Sequence, residues 1–557
     1  MLPEQLDFKK TAVVSAFLLI FIAVSASIAT KKNNTWDEPA HILAGYGYLK
    51  HGNDYIAPRN HPVAGRGILS LPLLFLDLDF DRTVSPEDVS GSDFHPYAVK
   101  FLYENRISAG KILFLARLMN ILLGALLGAY VFVWAQKLWG DWGAYLSLFF
   151  FILSPDVLAH SSLATTDMPV TAFFFIASYY LYRMASVGPD WKRTLLTAFF
   201  AALALASKYT ALLLIPVAAV SLAISLWKTP RAKTVFYFLL LSTAAYFFIW
   251  AFYGFRYRAP DPSYIALPWE RFSGSALWPY MDLLRKIRFL PESYLYGLVG
   301  AISGAGGGRT AFLMGGYSNT GWWYYFIAAY LVKTPVPAVL LFIAAALYSL
   351  KDAAWRKKAV IMLAPAALIF AAASFQNVNI GVRHVLPAYP FMFALIGFVP
   401  SIRTSSMKAA KAVFYSSVVW YAYSAATIFP HQLAYFNEFA GGPRKGYEWL
   451  VDSNLDWGQD LKGLRDYMDR KGIKSIKLAY FGLSDPAYFG IDYEYMPSYI
   501  ILNPKNVKDI VELKGWFAVS ATMLQGVYLP DRDLYRVFRE TRPVDNIGYS
   551  IYIYKFD

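Results

Sequence analysis

Apolar residues run in blocks of membrane-spanning length from the first tens of residues to about Phe429, and polar residues gather in the segments between them. The first block, Thr11 to Thr30, is uncharged and long enough to cross roughly 30 Å of hydrocarbon as a helix. Lys9 and Lys10 precede it, Lys31 and Lys32 follow it, and no small-residue cleavage signature appears, so it reads as an uncleaved first span. Further blocks run from Ile112 to Trp134, Gly143 to Leu153, Met168 to Tyr182, Leu195 to Ser207, Tyr209 to Trp227 and Thr234 to Phe252. Four more follow: Val336 to Leu350, Ala359 to Ser374, Val385 to Pro400 and Ala412 to Phe429. The pattern predicts a polytopic α-helical membrane protein with about 11 transmembrane helices over residues 1–429.

The pattern changes after Phe429. Asp456 and Gln459 form a capping box ahead of Trp457, Leu461, Leu464 and Met468, and Gly472 supplies a stop, which predicts a helix. Short β-like runs at Ser475 to Phe481, Trp516 to Ala521 and Tyr549 to Tyr554 complete a small α/β domain over residues 430–557. Gly300 to Gly308 reads as a flexible loop rather than a phosphate-binding turn, because no strand precedes it.

Charge sets the expected orientation. The connectors that share a side with the N-terminus hold sixteen Lys and Arg residues against five Asp and Glu. The positive-inside rule then places the N-terminus in the cytoplasm, and an odd number of spans places residues 430–557 outside. Loops 31–110 and 254–335 fall on the outer side too, so any chemistry is expected on the extracytoplasmic face.

Composition narrows the class further. Of 557 residues, 57% are hydrophobic and only 16% charged, which excludes an ordinary soluble globule and a disordered chain. The net charge of +14 sits in short connectors, a topological signal that gives no reason to invoke nucleic acid. Cysteine is absent, which removes disulfides, thiolate metal sites and a cysteine nucleophile.

Candidate chemistry collects on the outer side. Asp37 and Glu38 lie just beyond the first span, where partial burial and mutual repulsion tune a general base; the same pair also suits a helix N-terminus. Asp167 precedes an apolar run on the same side and reads either as a second site acid or as a helix cap ahead of Pro169. Arg117, Lys208, Lys333 and Arg383 gather there too, on the face without the general positive bias. Each suits a phosphate or a snorkelling contact with headgroups. Arg117 lies inside an apolar run, where a cation costs about 2.5–3.5 kcal/mol and needs a partner or a task. The histidines, His41, His61 and His384 among them, all fall outside, but no His-x-x-x-His pair suggests a metal. Trp322 opens an aromatic run that suits an interfacial belt or a sugar contact.

Several segments together resemble one family. They are Thr35-Trp36-Asp37-Glu38 after the first span, Ser161-Ser162-Leu163-Ala164-Thr165-Thr166-Asp167-Met168-Pro169, Ser207-Lys208-Tyr209-Thr210 and Asn379-Ile380-Gly381-Val382-Arg383-His384. Gly315 to Phe326, Tyr435 to Glu438 and Asp452 to Asp460 add to the likeness. Over nearly its full length the chain resembles integral-membrane glycosyltransferases of the GT-C superfamily, among the bacterial relatives of protein O-mannosyltransferases and aminoarabinose transferases.

The resemblance implies a sugar donor carried on polyprenyl phosphate and used at the outer face of the bacterial cytoplasmic (inner) membrane. It implies an acceptor hydroxyl on a protein, lipid or polysaccharide, and no cofactor. Asp37 becomes the base, Glu38 and Asp167 orient the acceptor or tune Asp37, and Arg117, Lys208, Lys333 and Arg383 hold the donor phosphate. His41, His61, His384 and Trp322 become candidates for substrate contacts. The first loop carries His61-Pro62-Val63-Ala64 where many relatives have His-Pro-Pro-Leu. Two other classes fit a polytopic chain: a transporter or lipid flippase, which calls for duplicated halves and midplane sites, and a non-catalytic scaffold that binds a lipid-linked sugar.

Overall fold

The computed structural model describes residues 8–58, 61–80, 94–259, 266–403, 406–499 and 513–557. The apolar blocks of the sequence fall on helices or their caps. Phe8–Lys31, Asp167–Val187, Arg231–Phe252, Ala353–Ser374 and Met407–Thr427 each carry one block. Among the described residues seven helices are long and apolar enough to cross a membrane, or eight if Tyr325–Lys333 and Val336–Ser349, bent by 117°, form one span. The count is lower than eleven partly because two blocks share the 44-residue helix Ala109–Ile152 and because Trp191–Leu205 has only 15 residues.

Helix Ala109–Ile152 would extend about 66 Å if straight, twice the hydrocarbon thickness. Gly140 breaks it, with φ 80° and ψ −175°, a conformation that residues bearing a Cβ resist. Three residues on, the chain packs backbone to backbone: a Cβ on Gly143 would meet the Gly397 carbonyl oxygen at 2.4 Å, so only glycine allows this approach.

The central helix Tyr389–Ile396 is apolar all round and every residue in it is buried. Phe391 packs edge-on against Trp134 and Phe175. At the periphery, Leu214–Lys228 and Arg231–Phe252 expose Ile215, Val220, Phe236 and Leu239, as helices facing lipid do. Two short strands, β1 (Ala311–Leu313) and β2 (Gly316–Ser318), form an antiparallel hairpin between the spans.

Among the described residues the C-terminal region carries a five-stranded sheet made of β3 (Ile476–Ala479), β4 (Tyr493–Tyr495), β5 (Gly515–Ser520), β6 (Asp545–Ile547) and β7 (Ile551–Phe556). The order is β4-β3-β5-β7-β6, with β3 parallel to β4 and β5 and the remaining pairs antiparallel. Helix Leu461–Lys471 packs Leu461, Leu464 and Met468 against Ile476, Leu478, Ile551 and Ile553. Gly472, with φ 65°, ends that helix as the sequence predicts.

Two local expectations are corrected. The capping box does not form: Gln459 Oε1 accepts from the Trp457 amide at 2.8 Å, and Asp456 Oδ2 accepts from the Thr522 amide at 2.8 Å. Asp456 serves a tertiary contact, Gln459 bonds the backbone of its own loop at Trp457 and Leu455, and the helix begins at Leu461. Gly300 to Gly307 is not a loop but part of helix Glu292–Gly307, which packs Leu295, Tyr296 and Val299 into a small core with Trp269 and Phe272.

The seam between sheet domain and spans is polar and closely bonded. Asn33, just past the first span, donates to the Gly458 carbonyl at 2.6 Å and accepts from the Leu461 amide at 2.8 Å. Asn454 donates to the Tyr325 hydroxyl at 2.9 Å and accepts from the Val382 amide at 2.9 Å. Ser453 Oγ donates to the Ile380 carbonyl at 2.8 Å. The Asp452 to Asp460 segment therefore docks the C-terminal domain directly beside Arg383.

Candidate active site

Asp37 lies between the first span and helix Glu38–His51. Its side chain makes no cap hydrogen bond; its Oδ2 instead accepts from Arg383 Nη1 at 2.8 Å. Arg383 opens the turn before the central helix, and its guanidinium lies 4.2 Å from the centre of the Trp457 ring, which belongs to the docked C-terminal segment. The same Nη1 stands 3.7 Å from Asp167 Oδ2, and Asp167 Oδ1 accepts from Lys208 Nζ at 2.6 Å. Four residues from four distant stretches thus form one chain of alternating charge. Asp167 is spent on this chain rather than on capping its helix.

The chain borders a cavity of about 560 Å³. Asp37, His41, His61, Lys208, Arg383 and His384 line it, together with Arg66 and Arg309. Small residues of helix Glu292–Gly307, Gly300, Ala301 and Gly304 among them, leave the space open on one side. Asp37 keeps 27% of its side chain exposed, whereas Asp167 keeps 2%. Asp37 is therefore the acid open to the cavity, and Asp167 stands behind it.

Electrostatics sharpen this division. Burial raises the Asp37 pKa, but the Arg383 guanidinium, with help from His41 and Arg309, more than offsets it and holds the carboxyl below its usual range. The acid is ionised at neutral pH. Burial presses His41 down to about 4, against the attraction of Asp37, and drives His61 well below its ordinary value. Both imidazoles are therefore neutral at physiological pH, and their rings lie 5.0 Å apart. Among the described residues the cavity then presents one carboxylate against the cations Arg66, Lys208, Arg309 and Arg383, an excess of positive charge suited to an anion.

Arg117 and Lys333 lie elsewhere. Arg117 is fully buried, and all five of its N–H donors are engaged: two to Glu38 at 2.7 Å, and the others to the carbonyls of Ala29, Lys32 and Asn33. Glu38 is equally occupied, accepting in addition from the Thr35 and Ala164 amides at 2.7 Å. This pair ties the end of the first span to the loop before Asp167. Lys333, also fully buried, donates to the carbonyls of Leu433 and Asn454 and lies over the Phe436 ring. The expectation that Arg117 and Lys333 face a donor phosphate is corrected accordingly. A cation in an apolar run signals that a partner exists, but that partner proves to be internal.

Trp322 is half-buried, with its amide held by Asn379 Oδ1 at 2.6 Å, and it does not line the cavity. Arg66 and Arg309 are the residues that sequence reasoning passes over. Arg66 donates to the carbonyls of Pro62, Ile56, Ala57 and His61, and no carboxylate among the described residues pairs with it. Its place in the short helix Val63–Ser70 right after His61-Pro62 is the one signal the sequence offered. Arg309 stands over the Tyr528 ring at 4.8 Å and near Asp452 Oδ2 at 3.9 Å, so the C-terminal domain positions it. Among the described residues no cluster of three or more His, Asp or Glu residues is arranged to hold a metal ion.

Comparison with known proteins gives a partial family match. Residues 95–252 match the model of the dolichyl-phosphate-mannose-protein mannosyltransferase family, a stretch that includes Asp167 and Lys208. A comparison with curated proteins returned no match. Among solved structures, the chain is similar to ArnT from Cupriavidus metallidurans bound to undecaprenyl phosphate, at 12% identity over 98% of both chains with a TM-score of 0.47. It is also similar to the archaeal oligosaccharyltransferase AglB from Archaeoglobus fulgidus, in complex with an inhibitory peptide and a dolichol-phosphate. There the identity is 10% over 75% of this chain and 56% of that one, with a TM-score of 0.44. The family match agrees with the GT-C resemblance carried by the sequence motifs.

Proposed function

We propose that the chain is a glycosyltransferase that moves a sugar from a polyprenyl-phosphate donor to an acceptor hydroxyl at the extracytoplasmic face of the bacterial inner membrane. The observation that carries this reading is Asp37, the single carboxylate among the described lining residues, set in a cavity with four cations. A base and a phosphate site within one chamber is the pairing that transfer from a lipid phosphate requires.

In this reading Asp37 takes the acceptor hydroxyl proton as the oxygen attacks the anomeric carbon. The bond from that carbon to the phosphate oxygen breaks, and the electron pair leaves with the phosphate. Arg383, Lys208, Arg66 and Arg309 stabilise the charge that develops there. Arg383 links the two halves of the reaction. While it holds Asp37 it suppresses the basicity of that carboxylate, and a donor phosphate competes for the same guanidinium. Donor binding thus raises the proton affinity of Asp37 when the acceptor needs it. Asp167 keeps Lys208 and Arg383 oriented throughout.

The N-terminus is assigned to the cytoplasm from the basic connectors. The test is transfer and sugar release by the reconstituted protein across a panel of polyprenyl-phosphate sugars. Turnover of at least one donor is expected. Donor binding with no release across the panel would instead indicate a lipid-sugar scaffold, and donor translocation without release a flippase.

A further inference from the structure

A second cavity of about 560 Å³ lies away from Asp37, where the first span and helix Met407–Thr427 end beneath helix Leu461–Lys471. Lys31, Lys32, His431, Asp460, Lys462 and Arg465 line it, with Asp466 at its side. The two transmembrane ends place it at the level where hydrocarbon gives way to headgroups. Helix Met407–Thr427, which ends shortly before the lining residue Pro430, exposes Val413, Val419, Trp420 and Tyr423, a face suited to acyl chains.

Most of the charge here is already assigned. Lys32 is paired with Asp460, which also accepts from Ser550 Oγ at 2.6 Å, and Arg465 is paired with Asp469. Among the described residues Lys31 and Lys462 have no carboxylate partner: Lys31 rests over the Phe429 ring at 4.7 Å, and Lys462 donates to the Thr30 carbonyl at 3.0 Å. Lys32 also donates to His431 Nδ1 at 2.6 Å. A lysine ammonium has only donors, so Nδ1 must accept, and the ring carries its proton on Nε2 as a further donor. Within its lining the cavity holds four cations against Asp460 and Asp466, a net positive cleft at the membrane surface.

We infer that this cleft binds the phosphodiester headgroup of an anionic phospholipid, with Lys31 and Lys462 on the phosphate and the acyl chains along helix Met407–Thr427. Such a lipid fastens the C-terminal domain to the bilayer at the same junction where Asn33 joins the first span to Gly458 and Leu461. The inference does not depend on the transfer reaction, because neither lysine touches the Asp37 cavity.

Native mass spectrometry of the purified full chain, titrated with dioleoyl phosphatidylglycerol or dioleoyl phosphatidylcholine, tests it. The wild type is expected to prefer the glycerol lipid. In the double variant Lys31→Gln/Lys462→Gln its affinity is expected to fall roughly 30-fold. The charge-retaining Lys31→Arg/Lys462→Arg is expected to keep most of the binding and to show that the cleft remains folded. Equal affinity for the two lipids, an unchanged double variant, or displacement of the lipid by millimolar inorganic phosphate would each overturn the assignment.

Discussion

Arg383 Nη1 lies 2.8 Å from Asp37 Oδ2 and 3.7 Å from Asp167 Oδ2, so one guanidinium nitrogen stands between two acids that are far apart in sequence. Arg383 is buried while Asp37 is partly open to the cavity, so in the proposed reaction the arginine is the fixed element and the acid the one that meets substrate. The geometry holds Asp37 ionised and ties its basicity to whatever else Arg383 binds.

Replacing that nitrogen should be visible in a pH profile. Asp37 has a depressed pKa with Arg383 as the main opposing influence to burial, so the base form persists below the ordinary carboxylate range. Activity that needs the base falls as pH drops through this pKa. In Arg383→Gln the acid limb of kcat/KM should shift to higher pH, and kcat should drop by roughly 100-fold from the lost phosphate contact. Transfer measured from pH 3 to 8 checks both.

The Glu38–Arg117 pair should affect stability rather than donor affinity. Both side chains are fully buried, and each satisfies the other together with backbone groups from two segments, residues 29–35 and the loop at Ala164. Arg117→Met strands the Glu38 carboxylate and should cost about 3–5 kcal/mol. Thermal unfolding in detergent is expected to show a sharply lower Tm, with an unchanged KM for donor in whatever protein remains folded.

Arg309 offers the opposite signature. It lines the cavity with 38% of its side chain exposed, and its ion pair with Asp452 Oδ2 is long, at 3.9 Å. Arg309→Gln should raise the donor KM by roughly tenfold or more, the worth of one hydrogen bond to a charged group, with little change in Tm. Michaelis kinetics and a melting curve on the same sample separate the two effects.

Buried histidines should make the fold acid-sensitive. His41 and His431 are each depressed to about 4, by burial first and then by opposing contributions from neighbouring charges. A depressed folded-state value means that the unfolded chain binds the proton first as pH falls. The stability these groups contribute is complete above about 6.5 and declines as pH drops toward 4. Tm should fall across that window, and His41→Gln should flatten part of the slope.

The sequence makes the spans legible because hydrocarbon thickness imposes a length and a composition on each one. It also marks Asp37, Asp167, Lys208 and Arg383, four residues that sit at the ends of apolar blocks on one expected side, and the structure joins them into one charge chain. Arg66 and Arg309 are harder to see, because a lone arginine in a loop or short helix carries no periodic signature, and their place in the cavity depends on tertiary packing. Arg117 and Lys333 illustrate the converse. An apolar context announces that each needs a partner, but only the fold tells whether the partner is Glu38 or a backbone carbonyl rather than a ligand. Asp456 and Gln459 spell a capping box locally, but Thr522, distant in sequence, takes the Asp456 carboxylate, and Gln459 turns back onto the Leu455 carbonyl.

The assignment of Asp37 as the base meets its most direct test in single-turnover transfer by reconstituted Asp37→Asn, with donor binding measured in parallel. The amide keeps the size of the side chain but cannot take a proton, so transfer should fall at least a thousandfold while donor binding is retained or tightened by the freed Arg383. Transfer at the wild-type rate would contradict the account.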